Sequence, residues 1–177
     1  MKVREIMTEQ PKCCGPGTNL SAAAELMWSN DCGVLPVVED GRLAGIVTDR
    51  DICIALGTRN KTAADMNVKD VATAPVQTCA PDADLHSATA TMRHAKVRRL
   101  PVVNAEGKLE GIVALNDIVL AVGPKHRDID SEDVMNTMKA VSEHRGAQAR
   151  HPRGRGVMRQ QIEMKSPNYR KRRDRNG

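Results

Sequence analysis

The sequence contains an internal repeat, which constrains the fold more than any other feature. Residues 33–38 (GVLPVV) recur 65 positions later as residues 98–103 (RRLPVV). Residues 45–52 and 111–118 share Gly-Ile-Val and Asp-Ile at a spacing of 66 positions. A shift that stays nearly constant across separate landmarks is the signature of a duplicated structural unit. The sequence therefore predicts two copies of one small module.

Both copies have the same order of predicted elements. Apolar residues at helical spacing predict a first helix in each copy, namely Ala22, Ala23, Leu26 and Met27, then Leu85, Ala88, Met92 and Ala95. Two apolar runs joined by a Gly-containing turn predict a hairpin, with its second strand at residues 43–47 or 109–113. A second helix is predicted to begin near Thr48 and near Ala114.

A short strand is predicted before the first helix of each copy, around residues 12–14 and 76–79. A module of roughly 60 residues buries too little surface to be stable alone, so the two copies are expected to pack together. Their core must be aliphatic, because the chain has no Phe, one Trp and one Tyr. The predicted fold class is mixed α/β (α+β): two β-α-β-β-α modules packed with pseudo-twofold symmetry.

Changes in composition divide the chain into four regions: a first copy (1–60), a second copy (61–123), a helical extension (124–145) and a basic tail (146–177). Residues 57–67 (GTRNKTAADMN) are predicted to be the polar linker between the copies. The tail holds ten Lys/Arg and only two Asp/Glu, a composition that cannot bury enough apolar surface to fold alone. The tail is therefore expected to be disordered.

The extension predicts a helix that begins at the Asp130-Ser131 cap and ends near His144. Its apolar face is predicted to consist of Val134, Met135, Met138 and Val141 and to dock on the core or on a twin subunit. The basic run of the tail is a candidate contact for nucleic acid or another polyanion, formed by Arg170, Lys171, Arg172 and Arg173. A solubilising tail is the alternative interpretation.

The sequence contains no pattern typical of a catalytic site. It has no P-loop, no GxGxxG and no HExxH, and His86 and His94 are best explained as solvated helix residues. The five cysteines have no zinc-type spacing, so buried or semi-buried reduced thiols are expected. A metal- or redox-sensing set of Cys13, Cys14 and Cys32 is the alternative. The N-terminus has no apolar signal-peptide region and no stretch is long enough to span a membrane, which favours a cytoplasmic, non-enzymatic protein.

The phrase Thr48-Asp49-Arg50-Asp51 supports two compatible interpretations. A Thr followed three positions later by an acidic residue is typical of a helix capping box. A helix N-terminus also attracts phosphate, and an acidic residue one turn into the helix can accept both hydroxyls of a ribose. The residues alone leave both interpretations open.

The repeat resembles a tandem pair of CBS (cystathionine-β-synthase) domains, often called a Bateman module. The likeness covers residues 1–123 and rests on the VREIMT opening at residues 3–8, the two Leu-Pro-Val-Val strands and GIVTDRDI at residues 45–52. The resemblance implies a regulatory module that senses energy or metabolite state by binding AMP, ADP, ATP or S-adenosylmethionine. It also implies a homodimer, built as a flat disc of four modules, that acts through an unknown regulated protein.

The resemblance further implies one complete nucleotide site shared by both copies. Its members are Ile46, Thr48 and Asp51 of the first copy and Gln77, Arg98 and Arg99 of the second. Arginine suits phosphate because its planar fork of donors matches the phosphate oxygens.

The mirror-related site keeps only Asp117, since Ala114 replaces the hydroxyl residue and Gly33-Val34 replace the arginines. That second site is expected to be empty, weak or selective for a ligand without phosphate. The alternative function is a nucleic-acid-associated protein that uses the CBS pair as a dimerisation scaffold and the tail for polyanion binding.

Overall fold

The computed structural model describes residues 1–121 and 129–143 and confirms the mixed α/β fold. The strands are β1 (Thr8–Glu9), β2 (Val34–Glu39), β3 (Arg42–Thr48), β4 (Arg99–Val103) and β5 (Leu109–Ala114). The helices are α1 (Leu20–Ser29), α2 (Asp49–Thr58), α3 (Leu85–Ala95), α4 (Leu115–Ala121) and α5 (Ser131–Ser142). Each copy therefore consists of a helix, a hairpin and a second helix, in the predicted order.

The two hairpins are built alike. In the first copy β2 and β3 pair antiparallel, and in the second copy β4 and β5 do the same. Both pairings shift register at equivalent places, after Val37 and after Val102. The short strands predicted before α1 and α3 are reduced to single parallel bridges, from Cys14 to Val37 and from Cys79 to Val102. The duplication thus extends to the irregularities of the sheets.

Each copy has its own aliphatic core. The first core is centred on Leu20, Leu35 and Val47, and the second on Leu85 and Leu100, all of which are fully buried. The residues predicted to line the inner face of the first helix in each copy are buried or half-buried. Because no aromatic side chain within residues 1–121 and 129–143 contributes to either core, aliphatic packing and sulfur-containing side chains fill the space between sheet and helices.

The opening segment of each copy packs on the other copy. Val3 is fully buried in the second core, whereas its counterpart Val68, 65 positions later, is fully buried in the first. The Val3 N–H donates to the Ala83 carbonyl at 2.9 Å, and the Val68 N–H donates to the Thr18 carbonyl at 2.8 Å. This reciprocal exchange joins the two copies into one unit.

The segment between the copies is more ordered than a polar linker. The helix α2 extends to Thr58, and a short 3-10 turn follows at Ala63–Asp65. Met66 is only 2% exposed and belongs to the first core. The linker interpretation of residues 57–67 is therefore wrong at its C-terminal end, because one apolar side chain among polar neighbours anchors the segment.

The exchange brings β1 against β5 at Gly111. A Cβ added to Gly111 would lie 3.0 Å from the Thr8 carbonyl oxygen and 2.5 Å from the sulfur of Met7. The Met7 side chain can turn away, but the Thr8 carbonyl can move only with β1, which pairs with β5.

We expect Gly111→Ala to lower the free energy of unfolding by about 1–3 kcal/mol, as overpacking does. The measurement is urea unfolding followed by circular dichroism. Gly17→Ala is the control, because nothing lies within 4 Å of its Cβ position, and its stability should be unchanged or slightly raised. Equal stability of the two variants would contradict the steric argument.

The helix α5 packs on α3 and α4 of the second copy. Asp130 caps it as predicted, and Val134 joins the second core. The predicted apolar face is wrong in part, since Met135 and Met138 are 52% and 43% exposed while Thr137 is fully buried. A polar Thr can occupy the buried face because its hydroxyl donates to the Asp133 carbonyl at 2.8 Å.

Asp133 fastens α5 to α3. Its carboxylate binds the His86 ring and the Arg93 guanidinium, and Arg93 also reaches the Thr137 hydroxyl. The hydrogen bond from His86, together with Arg93, holds the pKa of Asp133 below its ordinary value. His86 is thus an exposed helix residue, as predicted, but one with an acidic partner.

A lowered pKa makes this contact sensitive to acid. The stabilisation by Asp133 is complete above the carboxyl's ordinary pKa of about 3.9 and is lost as the pH falls through the lowered pKa. We therefore expect wild type to be more stable than Asp133→Asn at neutral pH and to lose this advantage below about pH 4. Urea midpoints of both proteins across that range measure the effect. An advantage that persists at the acid end would contradict it.

Candidate functional site

Thr48 and Asp51 form a reciprocal capping box where β3 passes into α2. The Thr48 hydroxyl oxygen accepts from the Asp51 N–H at 3.2 Å. Asp51 Oδ2 accepts from the Thr48 N–H at 3.0 Å and from the Thr48 hydroxyl at 2.7 Å. Both side chains are half-buried, and the box uses only one carboxylate oxygen of Asp51. The capping interpretation is confirmed, and Oδ1 lies outside the box.

The chain entering the second copy runs alongside β3. Ile46 and Thr73 exchange backbone hydrogen bonds of 3.1 and 2.9 Å. The same segment continues past Gln77, which is exposed, to Cys79, which bridges to β4. The structure therefore places Ile46, Thr48 and Asp51 on adjoining elements of the first copy. It also links them to β4 of the second copy through one short segment that contains Gln77.

Arg98 and Arg99 stand at the start of β4. Both are exposed, Arg99 lies opposite Ala114 in the hairpin, and the Arg98 carbonyl accepts from the Leu115 N–H at 2.9 Å. The main chain thus attaches the arginines to the start of α4, just as Gly33 is attached to the start of α2. Among the described residues, the main chain of Arg98 and Arg99 contacts the end of β5 and the start of α4. That they reach the Thr48 and Asp51 site stays a prediction.

The mirror-related position keeps half of a capping box. The Asp117 carboxylate accepts from the Ala114 N–H at 2.7 Å, as Asp51 accepts from Thr48. Ala114 has no hydroxyl to complete the box. The start of β4 lies nearby, with Arg99 opposite Ala114. Basic residues therefore do lie beside this end of α4. The resemblance implies a place for the arginines in the first site only, and the sequence does not show their closeness to α4.

The cysteines differ strongly in exposure. Cys13 and Cys53 are exposed, which corrects the expectation that all five are buried or semi-buried. Burial raises the pKa of the Cys14 thiol to about 11, with a smaller contribution from the neighbouring Cys13, and burial raises that of Cys79 to about 11. Within residues 1–121 and 129–143, no three His, Cys, Asp or Glu side chains are grouped to hold a metal ion. The proposed set of Cys13, Cys14 and Cys32 finds no support there.

Two further predictions concern the C-terminal part of the chain and the absence of a membrane-spanning stretch. The basic run of the tail (Arg170, Lys171, Arg172 and Arg173) lies outside the described residues, as does the end of the predicted helix at His144. No helix in the described part of the chain has the length and apolar character that a membrane crossing requires.

Comparison with known proteins agrees with the duplicated fold. The family model for the CBS domain matches residues 3–58 and again residues 68–123. The CBS domain-containing protein YhcV of Bacillus subtilis is 34% identical over 118 residues, which cover 67% of this chain and 83% of YhcV.

Two solved structures with bound ligands share the fold. The CBS domain pair of protein MJ0100, in complex with 5′-methylthioadenosine and S-adenosyl-L-methionine, has a TM-score of 0.63 and 27% identity. This match covers 71% of the present chain and 98% of that one. CBSX2 from Arabidopsis thaliana, in complex with AMP, has a TM-score of 0.60 and 30% identity, covering 68% and 94% of the two chains. With two matched repeats and the predicted architecture, this chain belongs to the CBS domain family and contains a tandem CBS pair.

Proposed function

We propose that this protein is a regulatory module that binds an adenosyl ligand (AMP, ADP, ATP or S-adenosylmethionine) at the Thr48 and Asp51 site. It acts in the cytoplasm as a homodimer, through a partner protein rather than through catalysis. The observation that carries the proposal is the position of the capping box at the end of β3, beside the segment that enters the second copy. A ligand bound there contacts both copies.

The chemistry of this position suits a nucleotide. The N-terminus of α2, a helix of ten residues, carries a partial positive charge that attracts phosphate. Asp51 Oδ1, which the capping box does not use, can accept ribose hydroxyls. The backbone groups of Ile46 are bonded to Thr73, so the Ile46 side chain is the part of this residue that can pack against an adenine ring. Arg98 and Arg99 are exposed and cationic, and we assign them to the phosphates.

The relatives that share the fold support the proposed ligand class. One was solved with 5′-methylthioadenosine and S-adenosyl-L-methionine, and another with AMP. These ligands have an adenosine group in common and differ in whether they carry phosphate. Because we assign Arg98 and Arg99 to the first site, we favour a phosphorylated ligand there.

Binding can regulate a partner only if the ligand has different affinities for two states of the module. The ligand can act on both copies, because each copy packs its opening segment on the other. A ligand that contacts Ile46 and Gln77 also touches elements of both copies.

The decisive experiment is calorimetric titration of the purified full-length chain with AMP, ADP, ATP and S-adenosylmethionine, preceded by mass spectrometry of any co-purifying small molecule. We expect saturable binding of at least one adenine nucleotide at one strong site per chain. An absence of heat with every ligand, together with no retained adenosyl compound, would refute the proposal.

A further inference from the structure

The first copy has an open groove between α1 and α2. The groove has a volume of about 510 Å³, and its apolar lining includes Met27, Ile52 and Leu56. Trp28, the only Trp of the chain, also lines the groove and is 88% exposed. An exposed aromatic side chain on an apolar groove is typical of an interaction site, so this groove is a candidate binding surface.

The equivalent face of the second copy shows what kind of element such a surface binds. Met92 of α3 corresponds to Met27 of α1, 65 positions earlier. Ile118 of α4 corresponds in the same way to Ile52 of α2, at the spacing of 66 positions. Met92 and Ile118 share one core with Val134 of α5, the helix that packs against α3 and α4. The first copy has the same apolar side chains at this face, which therefore suits an amphipathic helix.

The ion pairs that hold α5 in place join its acidic residues to basic residues of α3. The Asp133 carboxylate binds His86 and Arg93. The Glu143 carboxylate accepts from the Lys96 ammonium at 2.6 Å. The second copy therefore presents a basic face, and the helix that covers it is acidic.

The charges at the matching positions of the first copy are reversed. Asp31 corresponds to Lys96 at the spacing of 65 positions, and both have left-handed backbones, with φ of 48° and 53°. Trp28 takes the place of Arg93. Asp49 is a second acidic residue of the groove, and of the described residues that line the groove none is basic. The groove therefore carries negative charge where the second copy carries positive charge.

We propose that this groove binds a basic amphipathic helix of the regulated partner protein. The inference rests on the proposed function, in which the module acts through a partner, and it specifies the chemistry of that partner. Within residues 1–121 and 129–143 the structure records no ion pair for Asp31 or Asp49, so both carboxylates can pair with Lys or Arg of the helix. A further cation can stack on the face of Trp28. Apolar side chains of the helix fill the groove, as Val134 is buried in the second copy.

Charge complementarity favours this occupant over a second copy of the chain. In a twofold pair the same patch meets itself, so Asp31 and Asp49 of one chain would face those of the other. Like charges that face each other across an interface oppose association, whereas a basic helix is attracted at the same two positions. The groove also shares α2 with the proposed ligand site, because Asp49 and Asp51 both lie in the first turn of that helix.

The probe for the test is a peptide derived from α5 with its charges reversed. It comprises residues 130–143 with Asp133→Arg and Glu143→Arg, the two acidic residues that bind α3. A side-chain staple between positions 131 and 135, which are both exposed, holds it helical, because so short a helix is marginal alone. The peptide carries fluorescein, and fluorescence anisotropy measures its affinity for the full-length chain.

We expect the basic peptide to bind saturably and its affinity to fall as ionic strength rises, since salt screens the charge pairs. The control is the stapled peptide with the natural Asp133 and Glu143. It is expected to bind at least about tenfold more weakly, because two attractive pairs are replaced by repulsion. Equal affinity of the two peptides, or no binding of the basic one, would overturn the inference.

Substitutions in the chain test where the peptide binds. Trp28→Ala is expected to weaken binding by about 30-fold, as loss of a central Trp does. Asp31→Lys is expected to weaken it by at least about fivefold, and the natural Lys96 shows that a Lys fits this left-handed position. Circular dichroism melting confirms that each variant is folded.

Asp40→Lys is the matched control for the change of charge. Asp40 is also an exposed acidic residue with a left-handed backbone, at φ 49°, but it lies in the turn between β2 and β3 and does not line the groove. We expect this variant to bind the basic peptide like wild type. Equal weakening by Asp40→Lys and Asp31→Lys would overturn the inference, because the peptide would then respond to net charge and not to the groove.

The emission of Trp28 reports on the groove directly, because the chain has no other Trp and the peptide has none. In the isolated chain the emission should be that of an exposed Trp at every protein concentration. Unlabelled basic peptide should shift it to shorter wavelength. A shift with protein concentration alone would assign the groove to a second copy, and a Trp28 that is shielded at every concentration would assign it to the chain itself. Either result, or binding that leaves the emission unchanged, overturns the inference.

Ligand binding is measured separately, so the two proposals can fail independently. AMP titrated into Trp28→Ala should bind with wild-type affinity, because Trp28 lies outside the Thr48 and Asp51 capping box. Peptide binding by a chain that binds no adenosyl ligand would support the groove and refute the ligand site. Ligand binding by a chain that does not bind the basic peptide would refute the groove alone.

Discussion

Asp51→Ala is expected to weaken AMP binding by about 10- to 100-fold, the effect of removing hydrogen bonds to a charged group. Asp51 lies at the N-terminus of α2 with one carboxylate oxygen in the capping box and the other outside it. The substitution removes the only acceptor that we assign to the ribose. Isothermal titration calorimetry with AMP, or with whichever nucleotide binds most tightly, measures the change.

The same substitution also removes the cap of α2, so its effect on stability must be separated from its effect on binding. Loss of a cap costs about 0.5–2 kcal/mol, which urea unfolding will record. Asp51→Asn keeps an oxygen that can accept from the Thr48 N–H while it removes the charge. If this variant is as stable as wild type but binds AMP weakly, the loss belongs to the ligand and not to the fold.

Asp117→Ala is the matched control in the second copy. Asp117 caps α4 through the Ala114 N–H, as Asp51 caps α2, so the local structural cost is comparable. We expect Asp117→Ala to leave the strong site unchanged. AMP binding that survives Asp51→Ala and disappears with Asp117→Ala would move the strong site to the second copy, where Arg98 and Arg99 adjoin α4.

Val3→Asp is expected to destabilise the chain by about 3 kcal/mol or more, because it buries an uncompensated charge. Val3 is fully buried in the second core, although it belongs to the opening segment of the first copy. Thr8→Asp is the control, since Thr8 lies in the same segment but is exposed. Chemical denaturation of both variants measures the difference in the free energy of unfolding.

The region that loses protection in Val3→Asp shows whether Val3 packs in the core of the second copy or in that of its own copy. Hydrogen exchange of Val3→Asp should show the earliest loss of protection in β4 and β5, which contact the second core, rather than in β2 and β3. Loss of protection confined to the first copy would contradict the exchange of Val3.

The local features of the fold could be predicted because they depend on short-range physics. Apolar residues at helical spacing identified α1 and α3, and the Thr48–Asp51 phrase identified the cap of α2, since a capping box involves residues only three positions apart. The face of α5 was harder, because the sequence does not show that Thr137 would satisfy its hydroxyl within its own helix and take the buried position.

The sequence predicts the two parts of the candidate site but not how they lie relative to each other. Thr48 and Asp51 come together through the capping box, but the position of Arg98 and Arg99 depends on how β4 pairs with β5. That pairing sets Arg99 opposite Ala114, next to the start of α4. A sequence repeat cannot show this, because it relates equivalent positions without showing which copy each segment contacts.

The sequence by itself determined that this protein is a duplicated module with an aliphatic core and a capping box at the start of α2 in the first copy. Those properties follow from periodicity, composition and contacts between near neighbours. Only the tertiary structure decided that Val3 and Val68 exchange cores and that α5 covers one helical face while Trp28 stays exposed on the other. The physical reason is that the two copies offer nearly equivalent surfaces. Which segment occupies which surface is then set by small differences in long-range packing that the repeat itself does not contain.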